Sequence, residues 1–380
     1  MKTALLTGTF DPVTLGHLDI FRRTARTFQK VLIGVGRNPK KNCLFTEEER
    51  ANLIRSQIKE TNVEVFIMGN RLTADIAYEQ NACLVKGVRL GAADFDYERL
   101  LNDINQAHQH KLDTLILPCR PETSFISSSA AKEVCLLHGN TEAFVPLEIK
   151  ALMEDRLCQQ IRVGITGSIG AGKSTLVDAL QVAGPALGLE VHNIDLDKMA
   201  HDVLFSRTEP VYVELRETLQ AQFKLTEWSR KSVGNLVFSD DDARKILDAE
   251  MEEPLRTRIR ADLMGLKGIV LFNGALLVEA GWAKLVNNHF LLITVSPDVQ
   301  AVRLAKRGLS PDQCQRRIQA QLSAYQKQEI IEEAINRAHF GDCGIINTTN
   351  PLHDCVEDCL TKIMQWKEKL TNKPYVPKIN

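Results

Sequence analysis

Two stretches of the sequence place glycines, hydroxyl side chains and a basic residue at spacings that suit phosphate chemistry. The first runs from Gly8 to His17 and reads GTFDPVTLGH, and the second runs from Gly167 to Ser174 and reads GSIGAGKS. Each follows a short apolar run and precedes a helix-forming stretch, which predicts a strand, a turn and a helix. Because backbone N–H groups at the start of a helix favour anions, both turns are expected to bind phosphate.

The second turn fits the pattern GxxxxGK[ST] between a predicted strand and a predicted helix, the context in which it predicts a nucleoside triphosphate site. Its backbone is expected to cradle the β-phosphate, Lys173 to reach the β- and γ-oxygens, and the Ser174 hydroxyl to hold Mg²⁺. The alternative, a chance glycine loop, is disfavoured by that context. The loop residues assigned to ATP are Gly167, Gly170, Ala171, Gly172, Lys173, Ser174 and Thr175.

The length and composition are those of an ordinary two-domain globular protein. The chain has 380 residues, of which 44% are hydrophobic and 25% charged, and its formal net charge is −1. This charge argues against bulk attraction to nucleic acid or to an anionic membrane, so phosphate binding must be local. No apolar run reaches the ~20 residues that cross a bilayer. We expect a cytoplasmic protein without nucleic-acid or membrane partners.

The nine cysteines are odd in number and contain no CxxC pair. This pattern argues against a disulfide framework and against a zinc site. Cys355 and Cys359 are four residues apart and could share a helix face, but two thiols without further ligands are expected to be packing residues. All nine are expected to be reduced.

Apolar runs alternate with helical patterns in both halves, which predicts two doubly wound α/β domains with parallel sheets. The predicted strands are TALLTG, VLIGVG, VEVFIMG, ACLVKGV and TLILPC in the first half, and IRVGITG, LEVHNID, KGIVLFNGALLVEA, HFLLITVSP and CGIINTT in the second. A boundary in the predicted helix PLEIKALMEDRLCQQ gives domains over 1–157 and 158–370. Residues 371–380 contain two prolines and no periodicity, which predicts a flexible tail.

The first turn and three later segments resemble bacterial phosphopantetheine adenylyltransferase. The letters TxGH from Thr14 to His17 match the signature of the nucleotidyltransferase superfamily, and GTFDP before them is more specific. The later segments are NPKKNCLFTEEER, LVKGVRLGAADFDYE and TSFISSSAAKEV. The resemblance implies a Rossmann-like domain in which a phosphate attacks the α-phosphorus of ATP and expels pyrophosphate. This chemistry requires positioned charges and no covalent intermediate.

The same resemblance implies roles for individual residues. His17 would stabilise the charge that develops on the α-phosphate, and Lys41 would bind the acceptor phosphate; a satisfied helix-start histidine and a solvated lysine are the alternatives. The implied ATP contacts are Thr9, Phe10, His17, Gly87, Arg89, Glu98, Ser127, Ser128 and Ser129, and the implied phosphopantetheine contacts are Thr9, Lys41, Thr73 and Lys86. Lys86 replaces a family arginine, so the bidentate fork is lost and the acceptor could bind more weakly.

The second turn, followed by HNIDLDKMAHDVL, resembles dephospho-CoA kinase, and LFNGALLVEAGW is closer to the kinase half of animal CoA synthases. The resemblance implies a P-loop kinase with a helical lid at KRGLSPDQCQRRIQAQ. Asp197 matches the carboxylate that takes the proton from the ribose 3′-hydroxyl, with Asp195 beside it. Geometry must decide between the two, because a strand-end aspartate can also cap a helix.

The kinase resemblance also implies contacts outside the loop. Arg307 and Asn347 would contact ATP. The implied dephospho-CoA contacts are Asp195, Asp197, Leu277, Glu279, Arg317 and Gln321, with Leu276 a further match. A charged helix face is the alternative for Arg317. The chain departs from the family at Asn273 and Ala275, and at Glu253, which stands where a histidine commonly precedes a proline and a helix.

Together the two resemblances imply an enzyme that performs the last two steps of coenzyme A synthesis. ATP and 4′-phosphopantetheine would give dephospho-CoA and pyrophosphate, and a second ATP would phosphorylate the 3′-hydroxyl to give CoA. Mg²⁺ would serve both sites through phosphate oxygens. One alternative is a nicotinamide-nucleotide adenylyltransferase fused to another small kinase, and another is a chain with one inert domain. The sequence leaves open whether the protein is a homo-oligomer.

Overall fold

A computed structural model of the chain describes residues 3–37, 42–89, 92–108, 112–308, 310–319 and 321–371. The chain divides into two compact units, the first over Met1–Leu157 and the second over Cys158–Asn372. Each unit contains a five-stranded parallel sheet. The predicted fold class, two α/β units with parallel sheets, is confirmed.

The first unit has the strand order β3-β2-β1-β4-β5. Its strands are β1 (Thr3–Gly8), β2 (Lys30–Gly36), β3 (Val63–Gly69), β4 (Ala82–Val88) and β5 (Thr114–Pro118). Its helices are α1 (Leu15–Thr27), α2 (Glu47–Gln57), α3 (Thr73–Glu79), α4 (Ala92–His108), α5 (Ser128–Leu136) and α6 (Leu147–Cys158). The chain order reverses at β1, so the carboxyl ends of β1 and β4 border the crevice in which doubly wound sheets bind ligands.

The central strand β1 illustrates why continuous apolar runs predicted the strands of these parallel sheets. Ala4, Leu5 and Leu6 are consecutive and all buried, as expected of a parallel strand that is covered on both faces. The strand ends at Gly8, where an added Cβ would lie 2.7 Å from the ring of Phe10. A larger residue at position 8 would therefore have to displace the Phe10 ring.

The second unit has the strand order β10-β9-β6-β8-β7. Its strands are β6 (Gln160–Gly167), β7 (Val191–Asp195), β8 (Gly268–Asn273), β9 (His289–Thr294) and β10 (Asp342–Asn347). Its helices are α7 (Lys173–Ala183), α8 (Leu196–Phe205), α9 (Pro210–Gln222), α10 (Arg230–Ser239), α11 (Asp241–Leu263), α12 (Pro297–Lys306), α13 (Pro311–Gln319), α14 (Ala324–Ala338) and α15 (Leu352–Thr371). The fully buried β6 lies between β8 and β9 and leads into the second turn.

Three apolar clusters support the second unit. One joins the sheet to α7 and α15, one joins the sheet to α11 and α14, and the third packs α8, α9, α10 and α11 together. Pro254 lies inside the 23-residue helix α11, whereas the sequence suggested that a helix starts after it. The loss of the family histidine at Glu253 is therefore a change within a helix.

Candidate active sites

In the first unit, the carboxyl ends of β1 and β4 open into a cavity of about 630 Å³. The cavity is bordered by the turn after β1, the start of α1, the end of β4 and the start of α5. The residues lining it that the sequence assigned to substrates are Thr9, Phe10, His17, Lys86, Gly87, Arg89, Glu98, Ser127, Ser128 and Ser129. Segments far apart in the chain thus converge on one cavity.

The orientation of His17 follows from the cap of α1. The Thr14 backbone N–H donates to Nδ1 of His17 at 3.1 Å, while the His17 backbone N–H donates to the Thr14 hydroxyl at 3.4 Å. Because a backbone N–H can only donate, Nδ1 is an acceptor and a neutral ring carries its proton on Nε2. The ring packs edge-on against Phe10, 5.1 Å between centroids. His17 is therefore held as an Nε2–H donor.

A buried arginine holds the turn after β1 in place. Arg50, only 2% exposed, donates to the carbonyl oxygen of Gly36 at 2.9 Å and of Phe45 at 3.1 Å, and also to those of Thr46 and Thr9. These four carbonyls lie in the turn, at the end of β2 and just before α2. One side chain therefore fixes three segments beside the cavity.

Asp11 ties the same turn to the segment that leads into α2. Its buried carboxylate accepts the backbone N–H of Leu44 at 2.9 Å and of Phe45 at 3.0 Å, and it pairs with Lys132 at 2.8 Å. Lys132 lies on α5, so this carboxylate joins both borders of the cavity. The sequence motif contained Asp11, but no role was predicted for it.

Arg156, near the end of α6, holds the segment before α2 from another direction. Its guanidinium donates to the Leu44 carbonyl at 3.0 Å, forks onto the Glu49 carboxylate and lies 4.5 Å from the centroid of the Phe45 ring. The hydrogen bond from Arg156 is the main cause that lowers the pKa of Glu49 to about 2. Leu44 and Phe45 are thus held from two sides.

In the second unit, two clefts lie on either side of the second turn. One, of about 440 Å³, is lined by Ser174, Asp195 and Asp197. The other, of about 370 Å³, is lined by Thr175 and by residues of the loop after β10. Residues lining both clefts are Gly170, Gly172 and Arg307. A nucleotide could therefore place its phosphates on one side of the turn and its nucleoside on the other.

The turn itself requires glycine at three positions. Gly167, Gly170 and Gly172 have φ angles of +146°, +78° and +92°. A Cβ on Gly167 would lie 2.3 Å from the carbonyl oxygen of Ile293 on β9. Residues other than glycine would adopt these φ angles only under strain.

Arg303 of α12 anchors the turn to the end of β10. Its guanidinium donates to the Ala171 carbonyl at 3.2 Å, to the Thr348 hydroxyl at 2.9 Å and to the Thr348 carbonyl at 2.7 Å. The Thr348 hydroxyl in turn donates to the Ala171 carbonyl at 2.6 Å. The outer side of the turn is therefore fixed by protein contacts.

Lys173 lies folded over the turn. Its ammonium donates to the carbonyls of Gly167 at 2.7 Å and Ser168 at 3.2 Å. Burial lowers its pKa to about 8, and the charge of Asp197 partly offsets that effect. A phosphate in the cleft would give the Lys173 ammonium a negatively charged partner, which the neutral carbonyls replace only in part.

The two strand-end aspartates have different surroundings. Asp195 accepts the Lys198 backbone N–H at 2.9 Å and so caps α8. Asp197 accepts the Ala275 backbone N–H at 3.1 Å, and desolvation by the surrounding protein raises its pKa. Its side chain remains open to the cleft. Asp197 is thus the better placed of the two to accept a proton.

Comparisons with known proteins match both units. The family model described as "Cytidylyltransferase-like" matches residues 5–134, and the model described as "Dephospho-CoA kinase" matches residues 161–339. A phosphopantetheine adenylyltransferase of Lactobacillus gasseri is 39% identical over 162 residues, which are 42% of this chain and 97% of that protein. The chain belongs to the phosphopantetheine adenylyltransferase family. Its second unit is a dephospho-CoA kinase domain, so the chain is an enzyme with two transferase domains.

Further comparisons match parts of the chain. A phosphopantetheine adenylyltransferase of Zymomonas mobilis is 41% identical over 150 residues, which are 38% of this chain and 83% of that protein. The crystal structure of TT1252 from Thermus thermophilus is similar with a TM-score of 0.42 and 27% identity, covering 55% of this chain and 98% of that one. The family models and the curated relatives confirm the sequence-based identification of both families.

In the adenylyltransferase unit, Lys86 and Glu98 line the cavity as an ion pair. The Lys86 ammonium lies 3.7 Å from the Glu98 carboxylate and 3.5 Å from the Thr7 hydroxyl. Thr73 does not line the cavity, but its hydroxyl donates at 3.4 Å to that of Thr7, which does. Lys41 lies outside the described residues, so its role stays a prediction.

Two of the three serines at α5 have structural partners. Ser127 caps the helix by accepting the Ala130 backbone N–H at 3.0 Å, and the Ser128 hydroxyl donates to the Pro12 carbonyl at 2.8 Å. Gly87 is required by packing, because an added Cβ would lie 2.8 Å from Ile20 on α1. The Ser127 and Ser128 side chains thus support the start of α5, and their predicted contacts with phosphate stay predictions.

Several residues of the kinase unit assigned to dephospho-CoA lie elsewhere. Leu277 is 2% exposed and belongs to the sheet core, whereas its neighbour Leu276 is 47% exposed. The contact predicted for Leu277 stays a prediction, and its side chain is packed in the core. Arg317, on α13, is exposed and lines neither cleft. Gln321 lines the first cleft, but its side-chain carbonyl accepts the Ile169 backbone N–H at 2.9 Å, so it also supports the turn.

Glu279 also has a partner inside the kinase unit. It pairs with Lys327 of α14, whose side chain is fully buried and also donates to the Ala275 carbonyl at 2.7 Å. Burial lowers the pKa of Lys327. Glu279 therefore supports the segment after β8. Sequence reasoning missed this lysine, because nothing local marks it as buried.

Asn347, assigned to the adenine, folds onto its own turn. Its side-chain carbonyl accepts the Thr349 backbone N–H at 3.0 Å, while Thr348 and Asn350 line the second cleft. The second cleft is therefore lined by residues that follow Asn347, and the adenine contact stays a prediction. Among the described residues, no helix is long and apolar enough to span a membrane.

Proposed function

We propose that the chain carries out two consecutive reactions, adenylyl transfer from ATP to 4′-phosphopantetheine and ATP-dependent phosphorylation of the 3′-hydroxyl of the resulting dephospho-CoA. The observation that carries this proposal is that each unit gathers, in a single cleft region, a phosphate-binding turn and a residue suited to its own chemistry. The order of the two units follows the order of the reactions.

In the adenylyltransferase unit, the acceptor phosphate attacks the α-phosphorus of ATP, and pyrophosphate leaves from the opposite side. His17 donates from Nε2 to an α-phosphate oxygen, where negative charge increases in the transition state. The backbone N–H groups that open α5 bind the β- and γ-phosphates, which become the leaving group. Lys86 and Arg89 contribute positive charge at the end of β4. The unit acts by positioning and charge, without a covalent intermediate.

In the kinase unit, the turn and Lys173 hold the β- and γ-phosphates while Asp197 accepts the proton of the ribose 3′-hydroxyl. A pKa raised by desolvation makes Asp197 a stronger base than an ordinary aspartate. Arg307, which lines both clefts, is placed to stabilise the transferring phosphoryl group. Asp195 remains the cap of α8 and fixes the helix that carries Asp197.

The residues present fit Mg²⁺ bound mainly by substrate. Ser174 presents a hydroxyl, and Asp195 and Asp197 present carboxylates, in the same cleft, and oxygen is the donor that Mg²⁺ prefers. Among the described residues, no group of three or more His, Cys, Asp or Glu could hold a metal. Ser174 would hold the ion together with the phosphates. When bound, Mg²⁺ neutralises phosphate charge.

We propose the cytoplasm as the location, since reduced thiols persist there.

The test is a coupled assay with the purified full chain. With ATP, Mg²⁺ and 4′-phosphopantetheine, we expect pyrophosphate release followed by CoA formation. Lys173→Ala should abolish phosphorylation of dephospho-CoA and leave pyrophosphate release intact, and His17→Ala should do the reverse. Pyrophosphate release only with nicotinamide mononucleotide would refute the substrate assignment, and unchanged CoA formation by Lys173→Ala would refute the P-loop assignment.

A further inference from the structure

The first cleft of the kinase unit contains more positive charge than one triphosphate requires. Besides Lys173 and Arg307, it is lined by Lys198 and Arg230. In the part of the chain that the structure describes, neither of these last two side chains has a hydrogen bond or an ion pair. Two cations without protein partners in one cleft are suited to bind an anion.

Lys198 lies close to the carboxylate that accepts the proton. It follows Asp197 directly in the first turn of α8, and its backbone N–H is fixed by the cap that Asp195 provides. The ammonium is therefore carried within one helical turn of Asp197. An anion bound by Lys198 would therefore be a group of the acceptor substrate that lies beside the reacting hydroxyl.

Arg230 comes from another helix and is held against the far end of α8. The Trp228 indole N–H donates to the Leu204 carbonyl at 2.8 Å, and Ser229 caps α10 by accepting the Ser232 backbone N–H at 3.2 Å. Arg230 is the first residue after that cap. The same apolar cluster joins α8 and α10. Lys198 and Arg230 thus lie on helices that pack together.

The other charged groups of the cleft already have roles. Lys173 covers the turn, Arg307 lines both clefts beside it, and Asp195 caps α8. His201 lies 3.8 Å from Asp202. Lys173 at the end of the turn and Arg307 directly after α12 are thus available to the triphosphate, whereas Lys198 and Arg230 belong to helices that follow β7.

We propose that Lys198 and Arg230 form the subsite for the diphosphate bridge of dephospho-CoA, a proposal that rests on the proposed kinase function. The diphosphate is attached to the 5′ carbon of the ribose whose 3′-hydroxyl is phosphorylated. With that hydroxyl at Asp197, the bridge lies only a few bonds away, within reach of both cations. Arginine and lysine are the side chains that bind such oxygens by charge-assisted hydrogen bonds.

The test uses the full chain with ATP, Mg²⁺ and dephospho-CoA as the acceptor. Arg230→Met and Lys198→Met should each raise KM for dephospho-CoA about tenfold to a hundredfold, the loss expected for a hydrogen bond to a charged group. KM for ATP and the rate of adenylyl transfer should not change. Arg230→Lys should recover part of the affinity. The matched control is Lys231→Met, which removes an exposed charge from the same helix that lines neither cleft.

A second measurement separates the diphosphate from the rest of the acceptor. Adenosine, which lacks the bridge, is tested as an inhibitor against dephospho-CoA at saturating ATP, and its inhibition constant should be the same in wild type and Arg230→Met. An unchanged KM for dephospho-CoA, or an equal loss for adenosine or for ATP, would overturn the subsite. A wild-type chain that does not phosphorylate dephospho-CoA at all would instead refute the proposed function.

Discussion

The two phosphate-binding turns of this chain are held in different ways. The adenylyltransferase turn is fixed by buried charged side chains, with Arg50 bonded to four carbonyls and Asp11 to two backbone N–H groups. The kinase turn owes its shape to three glycines with positive φ, and Arg303 anchors it from outside. A turn made of ordinary residues needs side chains to hold it, whereas a glycine turn carries its conformation in its own backbone.

The comparison predicts the largest effect at Arg50. Arg50→Met should lower the free energy of unfolding of the adenylyltransferase unit by about 3 kcal/mol, because four carbonyls lose a charged donor. Adenylyl transfer should fall to background while the kinase keeps its activity. Hydrogen exchange in α2 and the two assays measure this. Arg55→Met, on the same helix but away from the cavity, is the control, and an equal loss there would contradict the assignment.

The next effect is expected at Arg303, the corresponding anchor of the kinase turn. Arg303→Met leaves the glycine backbone in place but removes the contacts to Ala171 and Thr348, so KM for ATP in the kinase assay should rise about tenfold. Because the turn keeps its own conformation, the unit should stay folded. Unfolding of the second unit together with the loss of affinity would show that this turn also depends on a buried charge.

A pair of glycine substitutions tests the backbone directly. Gly172→Ala should destabilise the kinase unit by about 1 to 2 kcal/mol, because φ is +92° and the added Cβ would lie 2.9 Å from Arg303. Gly16→Ala, at the start of α1, meets no atom closer than 3.7 Å and should not destabilise its unit. Thermal unfolding of each unit compares the two, and equal losses would remove the distinction between the turns.

The smallest effect is expected at the ion pair of Arg156 with Glu49. The folded pKa of Glu49, about 2, lies below the ordinary value of 4.5. Its contribution is therefore fully present above pH 4.5 and is lost as the pH falls towards 2. Arg156→Met should flatten this acid-dependent loss by about 1 kcal/mol, as for a partly exposed pair. Denaturant unfolding across that pH range measures it.

Arg156→Met should also weaken the binding of the acceptor, 4′-phosphopantetheine. Arg156 holds Leu44 and Phe45, which closely follow the predicted acceptor residue Lys41 in the sequence. Its loss should therefore raise KM for 4′-phosphopantetheine more than KM for ATP in the adenylyltransferase assay. The conservative variant Arg156→Lys should keep part of the pair and lie between. Equal changes in both KM values would place the effect on the whole cavity instead of the segment before α2.

The sheets could be predicted from the sequence because parallel strands covered on both faces appear as continuous apolar runs, as at Ala4 to Leu6. The second turn could be predicted because its glycines have a fixed spacing. Arg50 could not, because its partners at Thr9, Gly36 and Phe45 are carbonyls that every residue type possesses. A buried arginine and a solvated one look alike in a sequence.

The direction of a side chain could not be predicted where a segment only resembled a family motif. In LFNGALLVEAGW, Leu276 and Leu277 are adjacent, yet one is exposed and the other buried, and only the path of the chain after β8 decides which. Asp195 and Asp197 were likewise inseparable until the cap of α8 was seen to use Asp195. Identities within a motif are visible in a sequence, but the direction of each side chain is not.

The contacts that fix the kinase turn bear on how ATP binds to it and ADP leaves it. Ala171 is held by Arg303 and Thr348, and Ile169 is held by Gln300 and Gln321, all by contacts within the protein. Little conformational entropy of the turn remains to be lost when ATP arrives. Successive turnovers can therefore exchange ADP for ATP on an unchanged cradle, and any slow step tied to conformational change should arise outside it.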